Sequence, residues 1–178
     1  MEELDGFLEH LAREVHEPGL RRLVAAFFDD EEFRVALRRA PCTRGGHHAY
    51  LGGLLEHTVA VATLVLETCA LHPRLNSDVL LTAALLHDIG KTREFDLGAD
   101  ISQSDEGQML GHVTLGHGMI AERARAVEVE REPLLAVCHC VLSHHGPSPR
   151  FRSAEALALY RLNAVDAAVK DALEHGLN

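Results

Sequence analysis

The chain has 178 residues, which suits one domain with a full-sized core. At 47% hydrophobic it has the composition of an ordinary soluble globular protein, and no apolar run reaches the length needed to cross a bilayer, so no membrane association is expected. Its formal net charge of −10, from 27 acidic against 17 basic residues, excludes broad binding to duplex DNA but leaves room for a phosphorylated small molecule or a single strand end.

The hydrophobic period is helical almost throughout. Leu4, Phe7, Leu8, Leu11 and Val15 follow i, i+3, i+4 spacing and predict a first helix. A second begins near Pro18, a residue tolerated in a first turn, and carries Leu20, Leu23, Val24 and Phe27. A short helical piece over 30–39 and a loop over 41–46 follow. The next helix runs over 53–71, with Leu54, His57, Val61, Leu64 and Val65 on its inward face, and Pro73 ends it. Ser77 or Asp78 is positioned to cap a helix through Val79, Leu80, Ala83, Leu86 and His87, and Gly90 suits a left-handed residue just past its end. The stretch 91–106 is polar and reads as loop. Helices over 107–127 and 132–145, a Pro147-Ser148-Pro149 connector, and a last helix from Ser153 to about His175 complete the chain. β-branched alternation is nowhere sustained, so an all-α, single-domain helical bundle is expected. Residues 1–45 would form a helical extension packed on a core over 46–175.

The N-terminus is acidic (Glu2, Glu3, Asp5), unlike a secretory signal, and a cytoplasmic protein is expected. Cys42, Cys69, Cys138 and Cys140 are then reduced thiols. Their spacing forms no paired zinc module, and Cys138-His139-Cys140 reads as one inward and one outward thiol on a helix.

Chemistry concentrates at His87-Asp88, which closes the apolar run Ala83-Ala84-Leu85-Leu86 and precedes Ile89-Gly90-Lys91. An imidazole and a carboxylate in apolar surroundings each need a strong partner, and a bound cation is one. His57, His112, His144 or His145, and Asp166 fall on other predicted helices, mostly near an end or on an apolar face. Bundles assemble metal sites from such side chains on facing helices. Asp166 lies among Leu162, Ala164, Val165, Ala167, Ala168 and Val169, where a carboxylate needs a cation or several donors. The alternative partner is Lys170, one helical turn away. His47 and His48 sit in a glycine-bracketed loop and are candidate contacts for a substrate phosphate. His117 diverges from His112 and is read as non-ligating; His10, His16, His72 and His175 are read as surface residues.

The order His57, His87-Asp88, Asp166 resembles the HD superfamily of metal-dependent phosphohydrolases. The segment from His47-His48-Ala49-Tyr50 to Glu56-His57-Thr58 narrows the likeness to the YhaM type of bacterial 3′→5′ exoribonuclease. So do Leu86 to Lys91, Gly111-His112, and Leu142-Ser143-His144-His145-Gly146. That type carries an N-terminal OB-fold domain, where this chain has about 45 mostly helical residues before the motif, and Asn163 stands where the type places an aspartate. The resemblance implies one or two divalent transition-metal ions (Mn, Fe, Co, Ni or Zn). Asp88 would bridge, His57, His87 and Asp166 would hold one ion, and His112 with His144 or His145 the other. It implies a hydrolase that cleaves a phosphomono- or phosphodiester of a nucleotide or short RNA 3′ end through a metal-activated water, with Asp88 and Lys91 catalytic. Asp88→Ala is then expected to abolish cleavage while the fold survives, and metal loss is expected as pH falls through roughly 6. Two other readings share these ligands: an oxidative di-iron HD protein, and a non-catalytic regulatory HD domain.

Overall fold

In the computed structural model, which describes residues 2–43, 48–98, 101–146 and 150–177, the chain folds around one helix that is buried beyond its first turn. That helix, α5 (Ser77–Leu86), buries every residue from Val79 to Leu86. Four elements surround it: α2 (Pro18–Phe28), α4 (Gly53–Leu71), α8 (Arg131–Ser143) and α9 (Ala154–His175). Helices α1 (Glu2–Arg13) and α3 (Glu31–Arg39) lie against α4, and α1 also touches α5. A helix contacted on all sides needs no polar stripe, which is why the run Val79 to Leu86 is continuously apolar except for Thr82.

Several helix starts are set by side chains. Glu17, Asp30, Asn76 and Ser153 accept from backbone N–H groups of the first turns of α2, α3, α5 and α9. The cap of α5 is thus Asn76, not Ser77 or Asp78. The Asp78 carboxylate instead accepts from the backbone N–H groups of His16 and Glu17, fastening the α1–α2 junction to the core.

Three expectations change in the segment after the His-Asp doublet. Gly90 has φ −61, so it is not a left-handed cap. The stretch read as loop contains a short helix, α6 (Lys91–Glu94), and an antiparallel hairpin of β1 (Phe95–Leu97) and β2 (Ile101–Gln103), in which Phe95 pairs with Gln103. Three-residue strands are too short to show alternation above a polar background. The following helix, α7 (Asp105–Ala126), is broken at Gly111 (φ 69, ψ 157), a conformation open to glycine, so His112 opens the second segment.

Two further readings are corrected. Cys138 and Cys140 are both buried, because α8 is packed by α5, α7 and α9 and offers no free face at either thiol. Helix α4, with 19 residues, is long and apolar enough to span a bilayer by length and composition, contrary to the reading from apolar runs. Here it is the neighbour of α5 and α9, and its face with Leu54, Val61 and Val65 is covered by protein.

Candidate metal centre

The centre lies where the C-terminal ends of α5 and α8 meet the start of α4, the broken helix α7 and the middle of α9. His87 and Asp88 follow the last turn of α5, and His144 and His145 the last turn of α8. The Asp88 carboxylate, 2% exposed, divides the space. Its Oδ2 faces His57 Nε2 (3.6 Å) and His87 Nε2 (3.4 Å), and its Oδ1 faces His112 Nε2 (3.4 Å) and His144 Nε2 (3.4 Å).

The fold sets the tautomers of three of these rings. His87 Nδ1 lies 2.8 Å from the Ala84 carbonyl, and His144 Nδ1 lies 2.6 Å from the Val141 carbonyl. A carbonyl only accepts, so each Nδ1 carries the proton and each Nε2 presents a lone pair to Asp88. His112 Nδ1 sits 3.2 Å from a Glu94 carboxylate oxygen and is fixed in the same sense. Lone pairs of imidazole and carboxylate thus face one another in a buried space. Asp88 Oδ1 and His144 Nε2 have no hydrogen-bond partner at all. Buried acceptors aimed at each other need a cation, and the outer N–H bonds to carbonyl or carboxylate are the usual support of metal-ligating histidines. Among the described residues, three donor groups are compact enough to hold an ion: Asp88 with His112, His144 and His145; Cys42 with His57 and Asp88; and His48 with His57 and Asp166.

His57, His87, Asp88, His112, His144 and His145 converge, with His112 Nε2 2.9 Å from His145 Nε2. Asp166 Oδ2 lies 2.6 Å from His57 Nδ1, the ring edge opposite the one facing Asp88, and 3.2 Å from His48 Nε2. This arrangement differs from an Asp166 sharing one ion with His57 and His87. Lys170 turns from Asp166 to Glu56 (2.7 Å). His48 is 1% exposed, within 3.1 Å of the Tyr50 hydroxyl through its other nitrogen. His47 lies outside the described residues. His117 is in none of the three donor groups. Lys91 is buried and donates to Asp88 Oδ2 at 2.6 Å.

Two contributors had no signal in the spacing, and a third, Asn163, is marked only by the family resemblance. Cys42 brings its thiol within 3.9 Å of Asp88 Oδ2, Glu94 orients His112 from 18 positions upstream, and Asn163 Oδ1 lies 2.9 Å from His57 Nε2. Each acts across a tertiary contact, so no local pattern marks it.

Electrostatics favour acceptors throughout. Burial raises the Asp88 carboxyl, but the Lys91 ammonium against it holds it well below the usual carboxylate range. Burial likewise opposes the charged forms of Asp166 and Glu94, and their histidine partners reverse the balance, leaving both lowered. Burial pulls His144 down, and pulls His145 to about 3 with His144 adding to the effect. The consequence for pH has a definite sign. An unfolded chain takes up these protons near the ordinary imidazole value of about 6.5, whereas the folded His145 refuses its proton until about 3. The unfolded state therefore binds more protons between those values, and stability falls as pH falls through that window. Protons also compete poorly for His144 and His145, so an ion held by them would outlast the pH of roughly 6 expected from free imidazole. Metal content after dialysis at pH 5 checks this; complete loss at pH 6 contradicts it.

An all-α bundle with a His-Asp doublet at its centre and histidines converging from neighbouring helices defines a class of metal-site domain. The HD domain family matches residues 54–174, and the chain belongs to that family. It is also similar to proteins named 3′-5′ exoribonuclease YhaM. That of Oceanobacillus iheyensis is 34% identical over 93% of this chain and 53% of its own length. Those of Shouchella clausii and Halalkalibacterium halodurans are 30% and 28% identical, over 88% and 92% of this chain and 52% and 53% of theirs. The chain thus spans about half the length of these relatives. No solved structure matches it significantly.

Proposed function

We propose that this domain is a metal-dependent phosphohydrolase acting on a nucleotide or the 3′ end of a short single-stranded RNA. The single observation that carries the reading is Asp88, whose two oxygens face two separate histidine groups with lone pairs turned inward. Relatives named exoribonucleases support the substrate class.

The donor chemistry fits divalent transition metals: imidazole and carboxylate suit Mn, Fe, Co, Ni or Zn. His57, His87 and Asp88 would hold one ion, and Asp88, His112, His144 and His145 another. When bound, such ions supply an activated water and charge stabilisation at a phosphoryl oxygen.

The chain's own residues provide the rest. A cleft of about 450 Å³ opens beside the centre, lined by Lys91, His112, His145, Asn163, Phe95 and Gln103 among others. That volume lies in the ordinary range of small-ligand sites. Lys91 is raised above its usual value because Asp88 outweighs the cost of burial, so it is charged at neutral pH and can balance phosphoryl charge. Glu94 holds the His112 ring, and Asp166 with His48 holds the His57 ring. We assign His48 to that positioning and not to direct phosphate contact, because its ring nitrogens are engaged inside the protein. A cytoplasmic setting suits this reading.

The test is hydrolysis of a panel of nucleotides, cyclic nucleotides and 3′-labelled single-stranded RNAs by metal-loaded protein. Metal-dependent release of product, abolished by chelation, is expected. Inactivity of fully metal-loaded protein across the panel overturns the proposal.

A further inference from the structure

Cys42 lies against the centre, its thiol beside Asp88. It follows Pro41 in the segment between α3 and α4, where its N–H donates to the His48 carbonyl (3.0 Å) and the Leu54 N–H donates to the Ala40 carbonyl (3.1 Å). The His48 carbonyl is in turn pressed on Gly53, where an added Cβ would stand 2.0 Å from that oxygen. The thiol is therefore held at a fixed position by backbone contacts to the start of α4, two turns or less from His57.

Two charged groups of the centre lie against its sulfur. Lys91 Nζ donates to Cys42 Sγ at 3.3 Å, and Sγ lies 3.9 Å from Asp88 Oδ2. Donor atoms of Cys42, His57 and Asp88 lie within 4.8 Å of one another, and all three residues are buried. A buried cysteine is ordinarily a small hydrophobe packed among apolar groups. This one touches an ammonium and a carboxylate. The other oxygen of the same Asp88 carboxylate, buried with no hydrogen-bond partner, faces His112 and His144, so Asp88 turns one oxygen to each half of the centre. Burial, with Asp88 adding to it and Lys91 opposing, pushes the thiol up to about 12.

We propose that Cys42 Sγ is a ligand of the ion held between His57 and Asp88, giving that half of the centre a mixed nitrogen, oxygen and sulfur donor set. The inference rests on the metal-centre reading above and adds to it the identity of a ligand and a preference. On coordination the S–H bond breaks, the proton leaves to solvent, and the sulfur electron pair forms the metal–sulfur bond; a coordinating thiol is deprotonated outright. No electron is transferred. A thiolate donor selects Zn, Co or Fe over Mn or Mg. The other half, with only histidine and carboxylate, has no such preference.

Cobalt(II) titration of the full chain tests this by a spectrum, independent of activity. A thiolate-to-cobalt charge-transfer band in the near ultraviolet is expected on binding. It should be absent in Cys42→Ala and in Cys42→Ser, the latter keeping a hydrogen-bonding group for Lys91 should the alanine variant not fold. Zinc affinity should fall at least about tenfold in both variants while manganese affinity is unchanged. Cobalt bound with no such band, or a band that survives in Cys42→Ser, overturns the inference and leaves the metal centre standing. No binding of cobalt, zinc or manganese by the parent chain overturns the centre and the inference together.

Discussion

Asp88→Ala is expected to remove phosphoester cleavage and also to weaken the fold. The loss of activity should be about a thousandfold or more, because several kcal/mol of transition-state stabilisation depend on ions that Asp88 would bridge. The loss of stability is the new element, since sequence alone predicts a fold left intact. Asp88 and Lys91 form a buried pair at 2.6 Å, 2% and 6% exposed. Removing one partner of such a pair leaves an uncompensated charge and costs roughly 3–5 kcal/mol. For a domain of this size that is a fall of about 10 °C in Tm. The double variant Asp88→Ala/Lys91→Met removes both charges and should regain most of the stability with none of the activity. Thermal denaturation and a hydrolysis assay on the three proteins separate the effects. An unchanged Tm in Asp88→Ala would refute the buried-pair account, and retained activity would refute the bridging role.

Gly90→Ala should be nearly as severe, for a purely steric reason. A Cβ at Gly90 would stand 1.9 Å from the His112 carbonyl oxygen and 2.6 Å from the Gly116 backbone nitrogen. Ordinary contact needs more than an ångström beyond the shorter distance, and both neighbours are backbone of α7, which cannot turn aside as a side chain can. Helix α7 must move away from the His-Asp doublet, taking His112 with it. Overpacking of this kind costs about 3 kcal/mol or more. The expected result is a lowered Tm together with loss of the ion that His112 helps hold, while the Cys42–His57–Asp88 group is less affected. Metal stoichiometry checks this directly: two ions in the parent and one in the variant. Full stoichiometry at the parent Tm would show that α6 and α7 can separate without consequence.

Much of this protein is legible in its order of residues because the cause is local. Helices α1, α2, α4, α5 and α9 announce themselves through apolar spacing, since each must bury a face. His87-Asp88 announces itself because two polar groups ending an apolar run need a strong partner. The donors were legible as a set because His57, His112, His144 and His145 sit at helix ends or on apolar faces. The hairpin over 95–103 was not legible, being two strands of three residues. Nor was the break at Gly111, because a single glycine in a helical pattern is ordinarily tolerated there.

A helical bundle with a His-Asp metal-site motif can be read from the order of residues alone, since periodicity and burial cost act between near neighbours. How that motif is completed depends on the packing of the whole fold. That packing set which carbonyl fixes each imidazole, that Glu94 stands behind His112, that Asp166 meets the far edge of His57, that Lys91 is buried on Asp88, and that Gly90 is a point of contact and not a cap. These are contacts between residues distant along the chain, settled by how helices pack around α5, and spacing carries no information about them.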